Sequence, residues 1–85
     1  MDINFALKQF QKSPYTKIKI GTKLLDVKIT GYSNYKNGVL LIPAHANMLP
    51  DSYLYFVDSN GSVKEVLPIQ VAMDTNTESI KKINL

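Results

Sequence analysis

His45 is the side chain in this sequence that most readily suggests catalysis, because imidazole can act as a general base or a metal ligand near neutral pH. It is the only histidine, and the chain contains no cysteine that could share a metal ion with it. No serine stands in a Gly-x-Ser-x-Gly setting, and the seven acidic residues are scattered without metal-ligand spacing. We therefore expect neither an enzyme nor a metal or cofactor site.

The basic residues favour a different chemistry, the binding of polyanions. All ten are lysines, and together with the seven acidic residues they give a formal net charge of +3. Modest positive charge attracts nucleic acids through counterion release, but a single copy with this charge would bind them only weakly. Lysine also lacks the forked guanidinium that grips phosphates or base edges through two hydrogen bonds. Several copies acting together would multiply the attraction.

Length and composition indicate one small globular domain, residues 1–85. Such a chain buries a modest core and often gains stability from disulfides, metals or self-association; here self-association remains. Apolar residues make up 45% and charged residues 20%, which is typical of a folded protein. No apolar run approaches the roughly 20 residues that cross a bilayer, and no apolar signal core follows Met1. We expect a cytoplasmic protein without a membrane partner.

The elements that must position any functional residues begin with a short helix. Asp2 is a suitable cap, and Ser13 and Pro14 end the helix. Its apolar residues recur at helical spacing and are Ile3, Ala6, Leu7 and Phe10.

Two alternating runs, Tyr15–Ile20 and Lys23–Tyr32, then flank Gly21-Thr22, a pair typical of a tight hairpin turn. A slip of one residue would oppose apolar to charged side chains throughout, whereas the register of a two-residue turn gives both faces compatible pairs. Its pairs are Ile20 with Lys23, Ile18 with Leu25, and Lys17 with Asp26. Gly31 interrupts the second run where a strongly bent strand needs a residue without Cβ.

The second half of the chain contains a buried strand and another hairpin. Val39–Ile42 is a continuous apolar run that predicts a central strand, stopped by Pro43. Tyr53–Val57 and Val63–Met73 flank Asn60-Gly61, a strong hairpin signal. Its register stays open: a two-residue turn pairs Tyr55 with Val66, and a glycine bulge pairs Val57 with Val63.

Two details of this half need a structural solution. Pro68 cannot donate to a strand ladder, so it must lie at a bulge or an edge. The last segment, Ser79–Leu85, suits either a short helix opened by Thr75 and Glu78 or a final strand. We favour the strand, because it would seal the edge that the hairpins leave open.

The segment Gly31–Leu40 carries a recognisable motif. It resembles the first motif of the Sm/LSm family of RNA-binding proteins, in which hairpin strands lead through Gly, an aromatic, Asp, any residue, an aromatic, Met and Asn into an apolar strand. The matching residues are Gly31, Tyr32, Tyr35, Asn37, Val39 and Leu40. The departures are Ser33, Lys36 and Gly38. The resemblance implies a mainly β fold, with a short N-terminal helix followed by a strongly bent SH3-like (Sm-like) barrel of about five strands.

The same resemblance implies a homo-oligomeric ring of about five to seven copies that binds single-stranded RNA, or DNA, near its pore. In the family the loop aromatic stacks on a base and the loop Asn hydrogen-bonds it, roles that fall here on Tyr35 and Asn37. Lys36 would add a phosphate contact. Asp74, Thr75 and Asn76 stand where the family carries Arg-Gly, which makes Asn76 a further candidate and leaves base selectivity open.

The residues alone also suit a plainer arrangement. Asn37-Gly38 is a common hairpin turn, and Tyr35 would then simply cover an edge. The alternative function is an SH3-like protein-binding module, or a small accessory or inhibitor protein, that uses the aromatic hairpin at Tyr53–Val57 on a protein partner. Oligomeric state separates the two functions.

Overall fold

A computed structural model of the protein describes residues 2–47, 52–72 and 81–82. The elements are helix α1 (Ile3–Gln11), strands β1 (Lys17–Ile20), β2 (Lys23–Asp26), β3 (Ile29–Tyr35) and β4 (Gly38–Pro43), a 3₁₀ helix (Ala44–Asn47), strands β5 (Leu54–Val57) and β6 (Val63–Val66), helix α2 (Pro68–Ala72) and strand β7 (Lys81–Lys82). The protein is mainly β, and its strands form two antiparallel sheets.

Helix α1 begins and ends as its sequence predicts. The Asp2 carboxylate accepts a hydrogen bond from the N–H of Asn4 at 3.0 Å, which satisfies a backbone donor of the first turn. Ala6 and Phe10 are fully buried, and the Phe10 ring lies 5.0 Å from that of Tyr55 between centroids. The helix is therefore held against the sheet by its apolar stripe.

The first hairpin has the predicted register. Ile20 pairs with Lys23 and Ile18 with Leu25, and Gly21 takes a positive φ of +63° in the turn between them. The Lys17 ammonium forms an ion pair with the Asp26 carboxylate. Strands β1 and β2 nevertheless form a two-stranded sheet of their own.

The prediction of one strand over Lys23–Tyr32 is wrong, because β2 ends at Asp26 and β3 begins at Ile29. The backbone changes partners in between. The Val27 N–H donates to the Thr16 carbonyl at 2.8 Å, and the Lys28 carbonyl accepts from the Ala44 N–H at 2.8 Å. These two adjacent residues thus join the hairpin to the main sheet.

The second sheet has five strands in the order β6-β5-β4-β3-β7. Four consecutive strands form a meander, and β7 returns to pair with β3 through Gly31 and Tyr32. The ladder between β3 and β4 shifts register between Ile29 and Gly31, where the sequence predicts a bend. In the described residues β6 and β7 are the two edges, so the strand pairing does not close the sheet into a barrel.

The second hairpin resolves the open register. Val57 pairs with Val63, as the glycine-bulge turn requires, and Gly61 has a φ of +86°. The predicted strand to Met73 is wrong for its second half, because β6 ends at Val66 and Pro68 starts α2. Proline fits the first turn of a helix, where its missing N–H costs nothing, and the Gln70 side-chain carbonyl accepts the Leu67 N–H at 2.9 Å.

The final strand is confirmed where the structure describes it. Lys81 and Lys82 pair with β3, in agreement with the strand predicted over Ser79–Leu85. The rest of that segment lies outside the described residues, as do Thr75 and Glu78 of the alternative helix.

The five-stranded sheet has a hydrophobic cluster on each face. Helix α1 and the first hairpin cover one face, whose sheet residues include Val39, Leu41, Tyr55 and Val57. Residues of α2 and the 3₁₀ helix contact the other, whose sheet residues are Tyr35, Leu40, Leu54 and Phe56, with Ile42 and Val66 at its margin. Neither helix of the described residues is long and apolar enough to cross a membrane.

Gly38 is predicted to be sensitive to any larger residue, because β5 approaches it closely. A Cβ there would overlap the carbonyl oxygen of Val57 and lie 2.9 Å from the Cα of Asp58, and both are backbone atoms that side-chain rotation cannot relieve. We expect Gly38→Ala to lower the free energy of unfolding by about 2 kcal/mol or more, measured by urea denaturation.

Gly21→Ala is the matched control. Nothing lies within 4 Å of its Cβ position, so only the positive φ is penalised, at a cost of about 1 kcal/mol. A loss for Gly38→Ala no larger than for Gly21→Ala would contradict the close approach of β5.

Candidate functional site

The β3–β4 turn presents three of the four predicted site residues. Tyr35 pairs with Gly38, so Lys36 and Asn37 form the two-residue turn, one position earlier than a turn made by Asn37-Gly38. Lys36 has a φ of 51°, a left-handed conformation that costs a residue with a Cβ about 1–2 kcal/mol. Gly38 is needed instead as the first residue of β4, where β5 approaches closely.

The Tyr35 ring is packed rather than displayed. It is only 6% exposed, and it meets the Phe56 ring edge to face, with centroids 5.5 Å apart and an interplanar angle of 88°. The Lys36 ammonium lies 5.3 Å from the Tyr35 centroid, over the ring face. A base that stacks on this face would have to displace Lys36.

A second lysine repeats this arrangement on the neighbouring ring. Lys64 pairs with Phe56 across the β5–β6 ladder, and its ammonium lies 5.6 Å from the Phe56 centroid. Phe56 itself is 4% exposed, and both lysines are exposed. We call these four residues, Tyr35, Lys36, Phe56 and Lys64, the lysine-capped ring pair. Attraction between each cation and the electron-rich ring face holds the charges at one place on the sheet.

Asn37 ties the two main-sheet turns together. Its side-chain N–H donates to the Ser59 hydroxyl at 3.4 Å, from the β3–β4 turn to the β5–β6 turn. The Asp58 carboxylate accepts the N–H groups of Asn60 and Ser62 at 2.9 and 3.1 Å, which fixes the second turn. An exposed amide therefore stands beside the lysine-capped ring pair on an ordered end of the sheet.

Sequence reasoning found only half of the lysine-capped ring pair. The motif points to Tyr35 and Lys36, and nothing in it points to Phe56 or Lys64. The sequence feature that could have placed Lys64 beside Phe56 is the glycine-bulge turn of the second hairpin, because its register sets these two residues opposite each other. Asn76, the fourth predicted residue, lies outside the described residues, and its role stays a prediction.

His45 is buried in the 3₁₀ helix at 8% exposure. Its Nε2 atom is buried without a hydrogen-bond partner in the part of the chain that the structure describes. Burial disfavours the charged imidazolium and lowers the pKa of His45 below its ordinary value. Residues 2–47, 52–72 and 81–82 contain no group of three or more metal-ligating side chains.

Comparison of the chain with protein-family models, with curated proteins and with solved structures found no significant match.

His45 gives a testable dependence of stability on pH. Its pKa in the folded protein lies below the unfolded value of about 6.5, so the unfolded state takes up the proton first as the pH falls. We expect full stability above that pH and a loss below it, of at most about 1.4 kcal/mol per pH unit for one group. Urea denaturation between pH 8 and 5.5 measures the loss.

The matched variant is His45→Leu, which removes the titrating group and fills the same buried position with apolar atoms. The variant should lose less stability than the wild type over the same pH range. Equal losses in both proteins would assign the pH dependence to other groups.

Proposed function

We propose that the protein binds single-stranded nucleic acid, RNA in the first instance, at the end of the sheet that carries the lysine-capped ring pair. The observation that supports this best is that two lysine ammonium groups lie over two aromatic rings in mutual contact, beside an exposed amide. Fixed cations suit phosphates, and an amide side chain can read a base edge. The site therefore combines backbone attraction with a group for base contact.

Lys36 and Lys64 make the phosphate contacts in this proposal. Both are exposed. The buried Phe56 ring holds the Lys64 charge in place, so a phosphate bound there orders little that is not already ordered. Asn37 contacts a base by exchanging its bond to Ser59 for one to the base edge. Tyr35 stacks on a base only after Lys36 moves from the ring face to a phosphate, so one ligand engages both residues.

We further propose that the main sheet belongs to an Sm-like, SH3-like barrel in a ring of identical subunits. Support comes from the strand order, in which β7 returns to β3 after a four-stranded meander, and from the register shift between Ile29 and Gly31, an irregularity of the kind that lets a strand bend. Edges β6 and β7 have no further partner strand in the described residues. Pairing of β6 in one copy with β7 in the next would close such a ring. A cytoplasmic location stays a prediction.

The role of Lys36 is tested with Lys36→Asn. The variant loses the cation–π contact with Tyr35, which contributes about 0.5–1 kcal/mol. Asparagine tolerates the left-handed backbone at this position better than lysine does, so the loss is largely offset and folding stability should change little. We expect weaker binding of a uridine-rich oligoribonucleotide and a salt-dependence slope smaller by about 0.7 per bound copy. Fluorescence anisotropy between 50 and 200 mM salt measures both.

Lys8→Gln is the control for this experiment. Lys8 is an exposed lysine on α1, which covers the opposite face of the sheet. It should leave affinity and slope close to the wild-type values. Equal effects of the two variants would mean that the protein attracts RNA through its overall charge and not through this site.

The ring is tested by native mass spectrometry of the protein at low micromolar concentration. We expect closed rings of about five to seven copies, single or joined in pairs, because edge pairing that closes a ring satisfies both free edges. A stable monomer that also fails to bind RNA would favour the protein-binding module instead.

A further inference from the structure

The β1–β2 hairpin stands apart from the rest of the sheet structure. Its two strands are hydrogen-bonded to each other and to no other strand of the described residues. All four residues of β2 are exposed, including Leu24 at 68% and Leu25 at 44%. An isolated two-stranded ribbon is marginally stable in water, and strand β2 leaves one leucine exposed on each of its two faces.

The hydrogen-bond pattern shows which backbone groups of β2 are available. Ile20 and Lys23 close the two-residue turn, and the Val27 N–H donates to the Thr16 carbonyl at 2.8 Å. In an antiparallel ladder the bonded pairs alternate, so Ile18 and Leu25 also bond to each other. The N–H and C=O groups of Leu24 and Asp26 consequently point away from β1, along the outer edge of the hairpin.

The outer edge of β2 lacks the usual protection against pairing. Exposed edges are commonly blunted by lysine or proline near their middle, and β1 alternates Lys17 and Lys19 with its isoleucines in this way. Strand β2 has Leu24 and Leu25 at its centre, with its charges only at its two ends. Its edge is therefore suited to another strand.

We propose that β2 pairs antiparallel with β2 of a second copy of this chain, about a two-fold axis, with Leu24 opposite Leu24. A two-fold axis between paired strands keeps each side chain on its own face and sets one residue opposite its own counterpart. Lys23 or Asp26 on the axis would oppose like charges, which leaves Leu24 or Leu25. With Leu25 on the axis, the Asp26 carboxylate would lie opposite Leu24. With Leu24 on the axis, the leucines face each other, and Asp26 lies opposite the hydroxyl of Thr22.

This register also matches the available backbone groups. Leu24 would exchange both of its outward hydrogen bonds with its counterpart, and the two hairpins would form one four-stranded sheet. Within each hairpin Leu24 lies opposite Lys19. Across the four strands the order is therefore Lys19, Leu24, Leu24 of the second copy and Lys19 of the second copy, so the two lysines are kept apart at the ends. The interface does not use β6, β7 or the lysine-capped ring pair, so it is independent of the proposed nucleic-acid binding.

Cysteine cross-linking tests the register directly, because the chain has no cysteine of its own. Bonded antiparallel partners have Cα atoms about 5.5 Å apart, within disulfide reach, so oxidised Leu24→Cys should form a covalent dimer. Leu25→Cys is the matched control: its counterpart lies diagonally across the pair, beyond about 7 Å. We expect the covalent dimer to form several-fold faster with Leu24→Cys than with Leu25→Cys. In urea, where the hairpin unfolds, this difference in rate should disappear.

Equal or faster cross-linking of Leu25→Cys would overturn the proposal. A second measurement needs no thiol: Leu24→Lys puts a charge on the axis and should at least halve the molar mass found by light scattering, with an unchanged circular dichroism spectrum. An unchanged molar mass would equally exclude pairing through β2.

Discussion

Burial of β4 on both of its faces is the constraint on which the rest of the fold depends. Val39, Leu40 and Leu41 are at most 1% exposed, and they belong alternately to the two hydrophobic clusters. A strand without a polar face must lie between two layers, and its buried backbone groups need a partner strand on each side. Strands β3 and β5 provide those partners. Helix α1 covers one face, while Val71 of α2 and Ala46 of the 3₁₀ helix contact the other.

The predictions that succeeded rest on local signals. The cap at Asp2, the turn at Gly21 and the apolar run at Val39–Ile42 each involve neighbours in sequence, and each is found as predicted. The change of partner at Val27 and Lys28 was not predictable, because the alternation of apolar and polar residues continues through it. Pro68 did indicate that the strand of the second hairpin ends before it, because proline excludes a strand interior. The helix that begins at Pro68 also depends on the Gln70 side chain, which was harder to predict.

The candidate site likewise contains residues that a local motif identifies and residues that only strand pairing brings together. Tyr35, Lys36 and Asn37 adjoin in sequence, so a motif could identify them. The contact of Tyr35 with Phe56, and through Phe56 with Lys64, depends instead on three ladders that join four strands. The sequence left the register of the β5–β6 hairpin open, and a different register would have removed Lys64 from Phe56. Burial of Tyr35 was equally hidden, because exposure of a turn residue depends on what the neighbouring strands place beside it.

The pairing of β7 with β3 has a consequence for how the chain folds. Gly31 pairs with Lys82, by far the longest sequence separation among the described strand pairs, while the other pairs are hairpins or close neighbours along the chain. Closing a long loop costs more entropy than closing a hairpin, so the meander can form before β7 arrives. During synthesis on the ribosome the β3 edge is therefore exposed until residues 81–82 emerge, and this interval is when nascent chains are most open to pairing with one another.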